Sequence, residues 1–293
     1  MRRDNGFATL AVLVVSGLLA GIVSMLVLLS RPALVLTRLG ADDLVMENLL
    51  ESGVTASAYL LFIVDIDAAS VDGRIIRLPS GSVTLHVSAE TGRVDLNASP
   101  PELLEGVFKA AGGQSLSPKS FAARVVDWRD EDDEKTTGGA ERADYLASDA
   151  NGLPANVAFQ SVSELRFIRG LSEADYLRLE AFVTVYNRTG LLYPAALSRR
   201  VLMAVPEMSN VDASALAAVE AGGAESDDGE LRGLFQRYEK FITQELPKVY
   251  RLNVIARSES GRTSAAHAII ADAEDEAKGY AVYEWAPAGR VAR

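Results

Sequence analysis

The amino-acid sequence predicts an α+β protein in which a long N-terminal helix packs on a small antiparallel sheet, and a large all-α insert splits that sheet. Three observations support this fold class. A helical apolar pattern runs from residue 7 to about residue 66, and period-two alternation appears both near residues 75–96 and near residues 250–285. Helical signals fill the sequence between the two strand regions.

The N-terminal segment is long enough to cross a membrane and does not have the form of a signal peptide. Residues 7–30 carry no charge, and a bilayer core about 30 Å thick needs roughly 20 apolar residues. A secretory apolar region is shorter, about 7–15 residues, and ends at a small-residue cleavage site. This segment instead continues into an amphipathic stripe that extends to Leu50. Arg2 and Arg3 predict one span with a cytoplasmic N-terminus and the bulk of the chain on the far side.

Alternating residues predict the strands. Val83, Leu85 and Val87 are expected to point to one face of a strand and the residues between them to the other. A turn at residues 90–92 then predicts a β-hairpin that spans residues 83–96. The last strands are predicted at residues 250–256, 263–271 and 280–285.

Residues 98–247 are predicted to form the insert, because one pattern recurs there. A helix, a short turn that often contains glycine and a second helix appear in PPELLEGVFKAAGG with SPKSFAARVVDW, in SVSELRFIRG with SEADYLRLEAFV, and in LSRRVLMAVPEM with DASALAAVEA. These are candidate helix-hairpin-helix units of a SAM-like domain.

Composition excludes several classes of function. The net charge of −11 argues against nucleic acid as a partner, because duplex contacts need clustered Lys and Arg. The chain has no cysteine, so disulfides and thiolate metal sites are excluded. His86 and His267 fall in predicted strands with no Ser, Cys or carboxylate partner at a recognisable spacing. No nucleophile elbow, phosphate loop or zinc motif is present, so we expect no catalytic residues and no enzyme activity.

One acidic stretch is a candidate metal site. The segment DWRDEDDEKTTGGAERADY concentrates carboxylates around two adjacent glycines, and a divalent cation bound by six to eight oxygens removes the repulsion among them. Calcium is the natural candidate, although the spacing is not that of an EF-hand, and a solvated acidic loop is the alternative. The candidate ligands are Asp127, Asp130, Asp132, Asp133, Glu134, Glu141 and Asp144.

The start of the chain resembles the type IV pilins and pseudopilins. Gly6-Phe7 joins a short basic leader to a long apolar helix, as at a prepilin peptidase site. The stretches VDLNASPPELL, VVDWRDEDDE with GGAE, and SVSELRFIRGLSEADYLRLEAFVTVY are similar to those of the type II secretion system minor pseudopilin K family, also called the general secretion pathway protein K family. This resemblance covers nearly the whole chain.

The resemblance implies a pilin-like fold and a processed N-terminus. Cleavage after Gly6 would remove residues 1–6 as a cytoplasmic leader and leave an N-methylated Phe7 at the start of the transmembrane part, residues 7–30. Residues 31–97 would hold the periplasmic helix and the first hairpin, and residues 248–293 the last strands. Bound calcium in this family favours a structural calcium ion in the acidic loop.

The resemblance also implies a place in an assembly. Pilins carry a Glu at the fifth mature position, where this chain has Ala11. A subunit without that acid cannot neutralise the terminal ammonium of a neighbour in an apolar core, which implies a place at the filament tip. The expected partners are pseudopilins of the I, J and H types, the major pseudopilin and the prepilin peptidase. Assembly is expected to involve Phe7, Ala11, Gly17, Gly21 and Pro32.

Three alternatives stay open from the sequence. A minor pilin of a type IV pilus would share the leader and the anchor but lack the split sheet. A membrane-anchored DNA-binding or DNA-uptake protein would use the helix-hairpin-helix units on DNA. A periplasmic enzyme with one membrane span would need a cluster of catalytic residues.

Overall fold

The computed structural model describes residues 5–147, 152–154, 156–218, 229–245, 248–273 and 279–288, with the side chains of residues 5–9, 27–41 and 287–288 left aside. Its centre is a five-stranded antiparallel sheet with the order β1-β2-β5-β6-β7. The strands are β1 (Ile75–Leu78), β2 (Gly81–Ala89), β5 (Val249–Ser258), β6 (Thr263–Asp272) and β7 (Tyr280–Ala288). A predominantly helical insert separates β2 from β5 in the chain, although these two strands are paired in the sheet.

Helix α1 (Asn5–Ala58) covers one face of this sheet with its C-terminal third. Its buried side chains recur every three or four residues, as expected for one stripe of a helix, and they are Met46, Leu49, Leu50, Val54 and Ala58. At Gly53 a Cβ atom would overlap the side chain of Val254 on β5, so this glycine permits close approach of the helix to the sheet. The helix ends in a π-helical turn, Tyr59–Ile63, and the short α2 (Ala68–Val71) follows.

The predicted faces of β2 are confirmed for Val83 and Leu85, which are fully buried beneath α1, but the predicted hairpin over residues 83–96 is wrong. Strand β2 pairs with β1 before it and with β5 far along the chain. Residues 90–92 form a 3-10 turn, and β3 (Val94–Asp95) pairs in parallel with β4 (Val183–Thr184) in a separate two-stranded sheet. Alternation indicates which side chains share a face, but it does not indicate which strand is the partner.

The insert packs short helices around its own core. Phe108 of α3 stacks on Phe121 of α4 with ring centroids 4.7 Å apart, and both rings are fully buried. The helices of the insert are α3 (Pro101–Ala110), α4 (Pro118–Arg129), α5 (Arg142–Leu146), α6 (Glu173–Leu179), α7 (Arg199–Leu202), α8 (Asn210–Ala217) and α9 (Gly229–Arg237). Residues 162–167, predicted as a helix, form a 3-10 helix.

Each predicted helical pair turns through a residue with positive φ before a serine N-cap. Gly112 and Gly170, both with φ of +77°, serve the first two pairs, whereas Glu207 with φ of +60° serves the third. The serine side chains that accept from the first-turn amides are Ser117, Ser172 and Ser209. A non-glycine residue in the left-handed region is strained, which makes the third turn different from the other two.

Candidate metal centre

Three predicted ligands meet where helix α4 ends and helix α5 begins. Asp127 lies in the last turn of α4, Asp130 is its C-terminal cap and Glu141 precedes the first residue of α5. One carboxylate oxygen from each residue lies within 4.8 Å of the other two. Between them the loop turns through Gly138, whose φ is +89°, so that Glu141 returns to the end of α4. The acidic residues are therefore separated in sequence and gathered in space.

Two of these carboxylates are buried and the third, Asp130, is half-buried. Asp127 is fully buried and Glu141 is 4% exposed. Asp127 accepts from the Thr136 amide, at 3.2 Å through Oδ1 and 3.3 Å through Oδ2. Among the described residues, Oδ1 of Asp130 has no hydrogen-bond partner, whereas the Glu141 side chain accepts from the backbone amide of Asp144 in a capping box at the start of α5. A buried carboxylate without a partner costs several kcal/mol, which a bound cation would offset.

The electrostatics of the cluster lead to the same conclusion. Burial raises the pKa of Glu141 to about 7, and the negative charges of Asp127, Asp130 and Asp133 add to the effect. Burial also raises the pKa of Asp130, followed by repulsion from Asp132 and Asp127. Neighbouring carboxylates repel one another when they are ionised, and this repulsion raises their pKa values. A hard cation bound between them offsets the repulsion and stabilises the ionised forms.

The three residues fit a calcium ion by the chemistry of their donors. Calcium takes six to eight oxygen ligands and accepts carboxylates readily, so Asp127, Asp130 and Glu141 would supply part of the coordination shell. A Cβ atom at Gly139 would overlap the Asp127 carboxylate, so only glycine leaves room for the cluster at this position. When bound, the ion would neutralise the cluster and join the end of α4 to the start of α5.

The other predicted ligands lie outside this group. Asp132, Asp133 and Glu134 are exposed on the loop, and Asn156 donates its side-chain amide to the Asp132 carbonyl and to Asp133 Oδ1, both at 3.1 Å. Asp144 pairs with Lys135 at 3.1 Å, and its carboxylate accepts from the Glu141 amide at 3.0 Å. Sequence reasoning found the seven acids and the two adjacent glycines among them, but not Asn156, to which no spacing signal pointed.

Each histidine lies beside a carboxylate that is distant in the sequence. His86 Nδ1 is 3.4 Å from Asp72 Oδ1, and His267 Nδ1 is 3.7 Å from Glu284 Oε1. These neighbours come from adjoining strands and loops, so no local spacing in the sequence could show them.

The predicted processing and assembly residues lie in or before α1. Gly6, Phe7 and Pro32 belong to stretches whose side chains are outside the described residues, as are Met1 to Asp4 of the predicted leader. Ala11, Gly17 and Gly21 are exposed on the helix. Among the residues that the structure describes, no helix is both long enough and apolar enough to count as a membrane span.

One region of this chain matches the model of a known protein family. Residues 86–188 match the family model described as type II secretion system (T2SS), protein K. This part of the chain is therefore similar to type II secretion system protein K. The resemblance drawn from the sequence is thereby confirmed over these residues, which include the three gathered carboxylates.

Two further proteins are similar to this chain. The type II secretion system protein K of Klebsiella pneumoniae is 32% identical over 84 residues, which are 29% of this chain and 26% of the relative. The match therefore spans about a quarter of that curated relative. A chain in the solved GspK-GspI-GspJ complex of the enterotoxigenic Escherichia coli type 2 secretion system matches at 17% identity with a TM-score of 0.59, covering 85% of this chain and 99% of that chain. The structural match confirms the combination of helices and an antiparallel sheet.

Proposed function

We propose that this chain is a minor pseudopilin of the type II secretion system. With other minor pseudopilins it would form the tip complex that initiates and caps the pseudopilus during export of folded proteins across the outer membrane. The match of residues 86–188 to protein K carries this proposal. The fold shared with GspK, which was solved in complex with GspI and GspJ, supports partners of the I and J types. We propose the H-type pseudopilin and the major pseudopilin as further partners, because a tip complex would contact both. The chain would act through contact surfaces and catalyse no reaction.

The described part of α1 supports a membrane anchor. Between residues 10 and 26 every large apolar side chain is 54 to 70% exposed. Burial of one such side chain is worth about 1.5–3 kcal/mol, so this surface is costly in water and calls for lipid or other helices. The uncharged sequence from residue 7 to residue 30 is long enough for one span. We therefore propose a single-pass inner-membrane protein with a periplasmic bulk.

The N-terminus of the mature chain suits a terminal position in the filament. Cleavage by prepilin peptidase after Gly6 would leave Phe7 as the first residue and Ala11 as the fifth. Without an acid at the fifth position, this subunit cannot pair with the terminal ammonium of a further subunit, whose unpaired charge is costly in an apolar core. The proposal therefore places one copy at the tip.

Mass spectrometry and co-purification test this function directly. The mature chain from membranes should begin at an N-methylated Phe7, and it should co-purify in detergent with pseudopilins of the I and J types. Gly17→Ile with Gly21→Ile should abolish that co-purification, because small residues permit close helix packing. The matched control, Leu18→Ile with Ile22→Leu, keeps the side-chain volume and should retain the complex. An intact Met1, a cut after residue 20, or repeated copies along the filament shaft would contradict the proposal.

We also propose that Asp127, Asp130 and Glu141 bind a structural calcium ion. Trp128 is adjacent to Asp127 and packs against Phe159 with ring centroids 5.9 Å apart, so it can report binding. Terbium, a luminescent substitute for calcium, should be sensitised by Trp128 and displaced by calcium.

The sequence contains two tryptophans, so the terbium titration should use Trp285→Phe to leave Trp128 alone. Asp127→Asn should abolish the signal, while Glu134→Gln, which removes an exposed charge of the same loop, should retain it. Equal signals from these two variants would show that the acidic loop attracts cations without a defined site.

A further inference from the structure

The insert and the sheet have separate hydrophobic cores. Within the described residues, the buried cluster of the insert and the buried cluster between α1 and the sheet share no member. The chain enters the insert after Ala89 and leaves it before Val249, and Ala89 lies opposite Tyr250 in the β2–β5 register. The two chain connections between the sheet and the insert therefore lie side by side and act as one hinge. These connections alone would leave the insert free to rotate relative to the sheet.

A buried carboxylate next to this hinge binds both halves. Glu90, at the start of the insert, is fully buried. Arg251 of β5 donates from Nε to Glu90 Oε1 at 2.6 Å and from Nη2 to Oε2 at 3.4 Å. Thr184 of β4, in the insert, donates its hydroxyl to Glu90 Oε2. One carboxylate thus holds a side chain from the sheet and a side chain from β4 in the middle of the insert sequence.

A second contact lies two strands away from the hinge, on β7. Tyr186 of the insert donates its hydroxyl to Glu284 Oε2 at 2.9 Å, and its ring stacks on Tyr283 with an interplanar angle of 7°. Arg188 donates to the Tyr283 hydroxyl at 2.8 Å. Strands in a sheet are about 4.8 Å apart, so this contact is roughly 10 Å from β5. An attachment at that distance opposes rotation about the hinge.

The charges of this region are matched and joined into one network. Besides Arg251, Arg93 approaches Glu90 with its Nε 3.9 Å from Oε1. Arg251 Nη1 also lies 3.4 Å from His267 Nε2, and His267 in turn faces Glu284. Burial raises the pKa of Tyr186, and its bond to Glu284 adds to this, so the phenol remains a donor. Loss of a partner of Glu90 leaves a fully buried charge unsatisfied, which costs more than an ordinary surface contact, whereas Glu284 is half-buried and loses one hydrogen bond with Tyr186.

We infer that Glu90, Arg251, Thr184, Tyr186 and Glu284 form a polar clamp that couples the insert and the sheet into one cooperative unit. In the described part of the chain, the insert and the sheet share no apolar core, and the clamp takes over its role by making them open and unfold together. The inference does not depend on the proposed function.

Hydrogen exchange of the full-length chain in detergent tests this coupling with two matched substitutions. Tyr186→Phe removes one hydroxyl bond across the junction. Tyr238→Phe removes a hydroxyl inside the insert that donates to Asp212 Oδ2 at 2.7 Å and also lies 3.2 Å from the Glu207 carbonyl oxygen. The reporters are peptides from residues 103–108 for the insert and from residues 252–256 for the sheet.

With the clamp intact, Tyr238→Phe should accelerate exchange in both reporters by the same factor, because one opening event exposes both halves. In the Tyr186→Phe background the same substitution should accelerate the insert alone. The ratio of opening constants, insert to sheet, should rise about tenfold on loss of the bond to Glu284. If Tyr238→Phe affects only the insert in the otherwise unchanged chain, the two halves are already independent and the inference is wrong.

A distance measurement gives an independent test. The chain has no native cysteine, so dyes can be attached at Lys119→Cys in the insert and at Glu259→Cys in the β5–β6 turn, both exposed positions. Single-molecule energy transfer should give one narrow distribution for this chain and a broader one after Tyr186→Phe. Narrow distance distributions in both chains would show that the clamp does not fix the position of the insert relative to the sheet, and the inference would be wrong.

Discussion

Replacement of Glu141 by glutamine is expected to change stability in opposite directions with and without calcium. The substitution keeps the shape of a side chain that is 4% exposed and removes its charge. The pKa of Glu141 rises from an ordinary 4.5 to about 7, with burial as the largest cause. Each pH unit corresponds to about 1.4 kcal/mol, so the ionised group costs the folded, metal-free chain at most about 3 kcal/mol.

The sign of this contribution follows from the direction of the pKa shift. Because the folded pKa of Glu141 lies above the unfolded one, the stability from its protonated form is complete below pH 4.5 and is lost as the pH rises through about 7. In EDTA at pH 8, Glu141→Gln should therefore raise the free energy of unfolding by up to about 3 kcal/mol. The two chains should become equal near pH 4.5. With saturating calcium at pH 8, the glutamine chain should be the less stable, since it has lost a proposed ligand.

Urea unfolding followed by Trp128 fluorescence measures these differences in the insert, with Trp285→Phe as the common background. Four conditions suffice, namely pH 4.5 and pH 8, each with EDTA or calcium. A glutamine chain that is less stable at pH 8 in EDTA would refute the electrostatic reasoning. A gain at pH 8 that calcium does not reverse would keep that reasoning and refute the calcium site.

Four further substitutions test packing and backbone strain in the insert by chemical denaturation. Phe108→Ala should lower the free energy of unfolding by about 3–5 kcal/mol, whereas Leu177→Ala at a 58% exposed position should change it little. Gly106→Ala should cost roughly 1–3 kcal/mol, because its Cβ would overlap the Ala204 carbonyl, although alanine is the better helix former. A Gly106→Ala chain that is more stable than the unsubstituted chain would contradict that overlap. Glu207→Gly should raise the free energy of unfolding by about 1 kcal/mol by relieving a positive φ, and any loss would show that the glutamate is not strained.

The sequence predicted the features that depend on local periodicity. The buried stripe of α1 and the buried face of β2 at Val83 and Leu85 follow from spacing alone. The partner of Val94 and Asp95 does not, because they pair with Val183 and Thr184 about 90 residues later. A reading limited to neighbouring residues therefore assigned them to the wrong hairpin.

The sequence predicted where in the chain the candidate metal centre lies, but not which acidic residues form it. The excess of acids between residues 127 and 144 was plain from the sequence. Which of them turn inward depends on where α4 ends and on a glycine turn at Gly138 that returns Glu141 to the cluster. Asp144 shows why the sequence could not identify the ligands. It is a carboxylate in the same segment, but it accepts from the Glu141 amide at the start of α5 instead of joining the cluster.

The topology of the insert has a consequence for how such chains diversify. Because Ala89 and Tyr250 are neighbours in the sheet, the whole insert takes the place that a simple β-turn would have between two antiparallel strands. Closing a loop costs only about 0.6 kcal/mol more for each doubling of its length, so lengthening this connection to a domain is thermodynamically inexpensive. Related chains can therefore exchange or lose this module while keeping the α1-covered sheet, provided that the sheet residues Arg251 and Glu284 find new partners.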